Sequence, residues 1–181
     1  MASFCGVRPN PCSGKQLEER SKDAPSLPPH AEVVKGFFVH NLGMQELPEV
    51  SEKGEFGSAL IRRALKLEAA ERGHVAFSLT VIPQLTNYYN TLHGGAVGAA
   101  AEVVAQACVM TVAGDKEFFL GESSFTYLAS SKINEQLDVD GYILRQGRNV
   151  VVASLEFKAK KTRKLKYVAH LTFYSTASAR L

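Results

Sequence analysis

Apolar and polar residues alternate most cleanly toward the C-terminus. Leu155, Phe157 and Ala159 fall on one side against Glu156, Lys158 and Lys160, and Leu165, Tyr167, Ala169, Leu171 and Phe173 on one side against Lys166, His170 and Thr172. A period of two buries one face of a strand, so Val150–Ala159 and Leu165–Ser175 are predicted strands. Residues 118–128 and 137–144 carry strand signals as well, with Gln146-Gly147-Arg148-Asn149 as the turn into Val150. Upstream lies one long apolar helical stretch, opening at His93-Gly94-Gly95 and closing near Gly114-Asp115. Before it, residues 59–67 and 75–82 read as two strands joined at Glu71-Arg72-Gly73 into a hairpin, and residues 83–92 as a loop. Val33, Val34, Phe37 and Phe38 are spaced as one face of a short helix starting near Ala31, with Gly43 as its terminator. A helix, a hairpin, a long apolar helix and four strands together predict an α+β domain in which an antiparallel sheet packs on the central helix.

Composition narrows the picture. A chain of 181 residues with 45% hydrophobic and 22% charged residues is in the ordinary globular range and suggests about one domain. Residues 1–30 carry no hydrophobic period and hold Pro9, Pro11, Pro25, Pro28 and Pro29, so they read as an extension. That leaves 31–181 as a single domain with its core at about 59–177. The extension lacks the apolar stretch of a secretory signal, and Glu18, Glu19 and Asp23 are out of place in an acid-poor transit peptide. Cys5, Cys12 and Cys108 form no CxxC pair and no Cys/His group at zinc spacing, so neither a disulfide framework nor a metal site is expected. A net charge of +3 is too small to point to nucleic acid, while anionic small molecules stay open. The apolar run 96–112, with Glu102 and Gln106 in its middle, reads as a buried helix rather than a bilayer span, and no membrane insertion is expected. Ala179-Arg180-Leu181 is a small, basic, leucine ending of the Ser-Lys-Leu type, which favours the peroxisome over the cytoplasm.

The chemistry concentrates around the start of the long helix. Thr86 to Gly95 sets polar side chains and paired glycines immediately before it; glycines admit a ligand close to the backbone, and the first N–H groups with the helix dipole favour an oxyanion. The alternative is a plain helix-entry turn capped by His93. Glu102 is the one acid between Gly95 and Asp115, set among Ala99, Ala100, Ala101, Val103 and Val104. An unpartnered buried carboxylate is costly, so it must reach a polar site, an interface or solvent; alternatively it forms a polar stripe with Gln106, four residues on. Gly94 and Glu102 are eight residues apart, about 12 Å along a helix axis. If both act on one carbonyl, they come from two chains, which implies a symmetric dimer. Lys158, Lys160, Lys161, Arg163, Lys164 and Lys166 straddle a turn, as either a solvated hairpin or phosphate ligands.

Thr86-Asn87, Thr91-Leu92-His93-Gly94-Gly95 and Glu102 together resemble the hotdog-fold acyl-CoA thioesterases, more narrowly the small acyl-CoA thioesterase branch of the 4-hydroxybenzoyl-CoA thioesterase-like superfamily. The likeness runs from about residue 59 to 174 and includes Phe125-Thr126-Tyr127 and Leu144-Arg145-Gln146-Gly147-Arg148. It implies a sheet wrapped around one central helix, and hydrolysis of an acyl-CoA by a homodimer paired further into a homotetramer, with no metal or redox cofactor. It also implies roles: the Gly94 N–H polarises the thioester carbonyl, His93 binds or orients it, and the partner subunit's Glu102 serves as general base or nucleophile. Asn87 holds the water or the sulfur. Gly95, Arg145, Arg148, Lys158 and Lys160 are the further substrate- and CoA-binding candidates. Two departures stand out: the branch often carries Asp at the place of Glu102, and its water-holding serine falls at Leu120 or Gly121, leaving Ser123 or Ser124 as substitutes. The acyl group is medium or long aliphatic, or aromatic such as 1,4-dihydroxy-2-naphthoyl; Tyr88, Tyr89, Phe118, Phe119 and Phe125 line its pocket or belong to the core. The alternatives are an enoyl-CoA hydratase or dehydratase, which needs a second acid not seen beside His93, and a non-catalytic acyl-CoA-binding module, which fold alone does not exclude.

Overall fold

Twenty residues, Gly94–Ala113, form one uninterrupted helix (α2) about which the other elements are arranged. In the computed structural model the structure describes residues 49–52 and 54–176, with helical positions at Ala31, Val33, Val34 and Gly36. The chain divides into Met1–Gln45 and Glu46–Leu181. In the first unit the four helical positions agree with a helix near Ala31; Phe37, Phe38 and Gly43 lie outside the described residues, as do 1–30 and Ala179-Arg180-Leu181.

The second unit holds a helix α1 (Phe56–Ala64), then β1 (Leu65–Glu71), β2 (His74–Thr80), α2, β3 (Phe118–Tyr127), β4 (Gln136–Gln146), β5 (Val150–Ala159) and β6 (Leu165–Ser175). The six strands make one antiparallel sheet in the order β1-β2-β4-β5-β6-β3. Alternation sets the bounds of β5 and β6 where the sequence predicts them, and Phe157, Ala169, Leu171 and Phe173 point into the core. The expected strand over 59–67 is corrected: its first part is α1, and strand begins at Leu65. Phe56, Leu60, Ile61 and Ala64 recur at helical spacing, Ile61 and Ala64 are buried, and Arg62 and Arg63 sit in the last turn, where cations meet the carbonyl end of the helix. A short apolar run such as Ala-Leu-Ile fits either period, and here the flanking residues decide. β1 pairs only with β2 and lies almost wholly exposed along one edge of the sheet.

The helix is fastened to the sheet at both ends. Toward its C-terminus the Thr111 hydroxyl accepts from Gly73 N at 2.8 Å, and Gln146 Nε2 donates to Val112 O at 2.9 Å. Toward its N-terminus Leu92 N donates to Ser131 O at 2.8 Å. Val97, Ala100, Ala101, Val104, Ala105 and Cys108 are fully buried against the strands. Length and a mean hydropathy of 1.7 would by themselves let this helix cross a bilayer, contrary to the expectation drawn from its sequence. Its packing against the sheet identifies it as the core helix of the domain.

Close approach of sheet and helix depends on Gly141 of β4. A Cβ there would lie 3.2 Å from Val75 Cγ2 and 3.3 Å from Val104 Cγ1. Gly141→Val therefore overpacks the core and is expected to cost about 1–3 kcal/mol. Thermal denaturation should show a fall of about 2–4 °C for each kcal/mol lost; an unchanged midpoint would contradict the packing described.

Candidate functional site

The segment between β2 and α2 folds back on itself through one side chain. Asn87 Oδ1 accepts from Tyr89 N at 3.0 Å, Thr91 N at 3.2 Å and Thr91 Oγ1 at 3.1 Å, while Asn87 N donates to Thr91 O at 2.8 Å. Asn side chains hold turns in this way because their oxygen mimics a backbone carbonyl. The carboxamide oxygen is thus committed to the loop, and only Nδ2 remains for a ligand. Tyr88 and Tyr89, on the tip of that loop, are exposed and pack edge to face on each other.

His93 caps the central helix. Its backbone N donates to Leu85 O at 2.8 Å, and its extended backbone (φ −64°, ψ 133°) turns the ring over the helix end, where Nδ1 accepts from Gly95 N at 2.9 Å. An accepting Nδ1 leaves the proton of the neutral ring on Nε2. The His93 carbonyl accepts from Ala96 N and Val97 N at 2.9 and 3.0 Å. Of the four N–H groups at a helix start that have no regular i→i−4 partner, those of His93, Gly95 and Ala96 are therefore engaged, and the Gly94 N–H bonds to none of the described residues. A Cβ at Gly95 would lie 3.1 Å from His93 Nδ1, so glycine is what allows the ring to fold there. Beside it, Tyr127 of β3 donates its hydroxyl to Gly94 O at 3.2 Å.

A cavity of about 800 Å³ opens along the side of the helix that the sheet leaves uncovered. His93, Ala96, Ala99, Glu102, Val103 and Met110 form one wall, and Leu60 and Ile61 of α1 face them. Val103 is 46% exposed and Met110 70%, an apolar surface unusual for residues on a core helix. Glu102 and Gln106 both line the cavity, side by side as a polar stripe would have them, with no hydrogen bond between them. The Glu102 carboxylate bonds to none of the described residues and lies eight residues, about 12 Å, from Gly94 along a straight helix.

The structure separates the basic candidates. Lys158 pairs with Glu156, Arg163 with Asp138, and Lys166 with Glu135 at 3.1 Å. Lys158 lies on the face of the sheet opposite to the buried Phe157 and Ala159, away from the helix, and Lys160 is exposed at the hairpin. Lys158 stands opposite Asp138, whereas Arg145 is seven residues further along the same strand, about 23 Å at strand rise. Arg148 lies near the other end of the helix, its carbonyl accepting from Lys116 Nζ at 3.1 Å. One protomer therefore does not bring Lys158 and Lys160 together with Arg145 and Arg148.

Of the aromatic candidates, Phe125 packs on the core against Gly98, Phe118 lines a second cavity beyond the helix C-terminus, and Phe119 is exposed. Ser123 pairs with the buried Leu171 and so shares the helix-facing side with Phe125, while Ser124 pairs with the exposed His170 on the opposite face. The structure thus favours Ser123 of the two serines. Burial pushes the Cys108 thiol up to about 11, which makes it an inert packing residue. Two contributors were not legible in the sequence: α1, hidden by the strand-like run, and the Tyr127 hydroxyl, whose contact spans 33 positions.

Known proteins share part of this sequence and its fold. The sequence matches the thioesterase superfamily over residues 89–166, which covers the central helix and strands β3 to β5. It is similar to acyl-coenzyme A thioesterase 13 of Mus musculus, 29% identical over 87 residues; the match spans 48% of this chain and 62% of that protein's length. The fold is that of thioesterase superfamily member 2 from Mus musculus (TM-score 0.61, 25% identity, 66% of this chain and 87% of that one). The zebra fish thioesterase superfamily member 2 also shares it (TM-score 0.63, 22% identity, 82% and 99%). With its sheet order, its single central helix and its His-Gly-Gly start, the chain has the hotdog fold of these structures, and its residues 89–166 match the thioesterase superfamily.

Proposed function

We propose that this protein hydrolyses an acyl-CoA thioester in a site shared between two copies of the chain. The observation that carries this reading is the pair of unfilled donors at the start of α2, the Gly94 N–H and the His93 Nε2–H, next to an apolar cavity with a carboxylate in its wall. The similarity to acyl-coenzyme A thioesterase 13 supports the same chemistry. The thioester oxygen accepts from both donors, at the positive end of the helix dipole, so the negative charge of the tetrahedral intermediate is stabilised as it develops. The partner subunit's Glu102 removes a proton from water as the water oxygen attacks the carbonyl carbon. Collapse breaks the C–S bond, and the CoA sulfur leaves with a proton while the acid is released. Asn87 Nδ2, the one polar arm of that side chain not held by its loop, donates to the sulfur or the water.

Symmetry locates the second copy. When Glu102 of each chain meets Gly94 of the other, the two helices run antiparallel and cross at the midpoint, Gly98. Gly98 is partly exposed, and a Cβ there would meet only the Phe125 ring, at 3.7 Å, so two backbones have room to approach. β3 carries Phe125 and is an edge strand, paired on one side with β6 and open on the other. Antiparallel pairing of two β3 edges closes that edge and covers Val103 and Met110. Coenzyme A is part of the substrate, and the mechanism calls for no metal or further cofactor.

Glu102→Gln should lower the release of free CoA from aliphatic and aromatic acyl-CoA esters by about 100-fold or more. Turnover unchanged in a folded variant would overturn the role of Glu102. Glu102→Gln and His93→Ala chains, refolded together, should recover about a quarter of the wild-type activity, because half the dimers then hold one intact site; no recovery would show that each chain works alone. Asn87→Asp keeps the accepting oxygen and loses the donor, so kcat should fall about tenfold while the thermal midpoint stays within a few degrees. An equal loss of both would make Asn87 a loop residue only.

A further inference from the structure

We infer that Tyr127 is a positioning residue that acts on the substrate through His93, by a relay of hydrogen bonds across one peptide group. The inference rests on the thioesterase reading only for its consequence for turnover. Three groups in series carry it. The Tyr127 hydroxyl donates to Gly94 O at 3.2 Å. That carbonyl belongs to the peptide unit whose N–H, on Gly95, donates to His93 Nδ1 at 2.9 Å. The His93 ring in turn lines the cavity.

A hydrogen bond accepted at the oxygen of an amide draws electron density from its nitrogen and strengthens the N–H as a donor, so bonds in a chain reinforce one another. Here the reinforced N–H is the one that keeps the proton off Nδ1. The tautomer with hydrogen on Nε2, the ring nitrogen not held at the helix start, is the one able to donate to a thioester oxygen. Tyr127 has no need to touch the substrate. Its ring also closes over Gly94, 3.5 Å from where a Cβ would stand, and packs edge to face on Tyr167 at 5.8 Å between centroids. The hydroxyl and the ring thus have separable tasks, and Tyr127→Phe removes the first while keeping the second.

The test uses the full-length protein and its Tyr127→Phe variant, with 15N-labelled histidine and the His93 resonances assigned by substitution. In the wild type at a pH where the ring is neutral, the Nδ1 shift should be that of an unprotonated nitrogen and Nε2 that of a protonated one. In the variant the two shifts should move toward each other as the second tautomer becomes populated. Steady-state hydrolysis should show kcat lowered about fivefold with KM within twofold. Shifts identical in the two proteins, with the variant folded, would overturn the relay. Moved shifts with unchanged kcat would overturn its relevance to turnover. The nitrogen shifts are read on the free protein, so a failure of the hydrolase reading, seen as no turnover by either protein, leaves this result intact.

Discussion

A twenty-residue apolar helix cannot be left in water on all sides, and the sheet reaches only part of its circumference. The buried stripe of Val97, Ala101, Val104 and Cys108 holds the domain together. The stripe left over, with Ala99, Glu102, Val103 and Met110, is where the cavity opens. Stability and chemistry are therefore divided between two sides of one element, and the same rise per residue that packs the first side sets the spacing of functional groups on the second. The Gly94 amide and the Glu102 carboxylate are eight residues apart, about 12 Å along the axis, so in the proposed reaction they meet on one carbonyl by coming from two chains.

The start of that helix is organised by subtraction. Every helix begins with N–H groups that lack partners, and here His93 takes up two of them, Gly95 N with its ring and Ala96 N with its carbonyl, while its own N–H goes to Leu85 O. What remains is a single backbone donor, Gly94 N, beside the outward nitrogen of the histidine. Asn87 shows the same economy, since its oxygen folds the loop and its nitrogen is left over. In both cases one side chain meets a structural demand at one atom and leaves another unengaged among the described residues, which is why a capping role for His93 and the proposed functional one do not exclude each other.

Local patterns made much of this legible. The two-residue period of β5 and β6 and the glycine pair at the start of the long helix are sequence-local signals, and these elements fall where those signals put them. Residues 59–64 did not yield to the same method because Ala59, Leu60 and Ile61 are consecutive, and consecutive apolar residues distinguish neither period. The distance between Lys158 and Arg145 within one protomer was hidden for a different reason: charge type is local, but which end of a strand a residue occupies depends on register with a distant partner. Tyr127 belonged to a recognisable motif, yet nothing in that motif shows its hydroxyl meeting a carbonyl 33 positions away.

Glycine at positions 94, 95 and 98 has a further consequence, for the order of events in folding. Each glycine weakens a helix by about 1 kcal/mol relative to alanine, so the first turns of α2 have little tendency to form in an isolated chain. Helix structure has to nucleate further along, in the Ala- and Val-rich stretch, and reach its N-terminus once the strands are in place. The Gly94 amide, the proposed oxyanion donor, is thus among the last parts of the helix to acquire its geometry. A nascent or partly unfolded chain would lack the arrangement that the proposed reaction needs, and its appearance reports that the sheet has already packed against the helix.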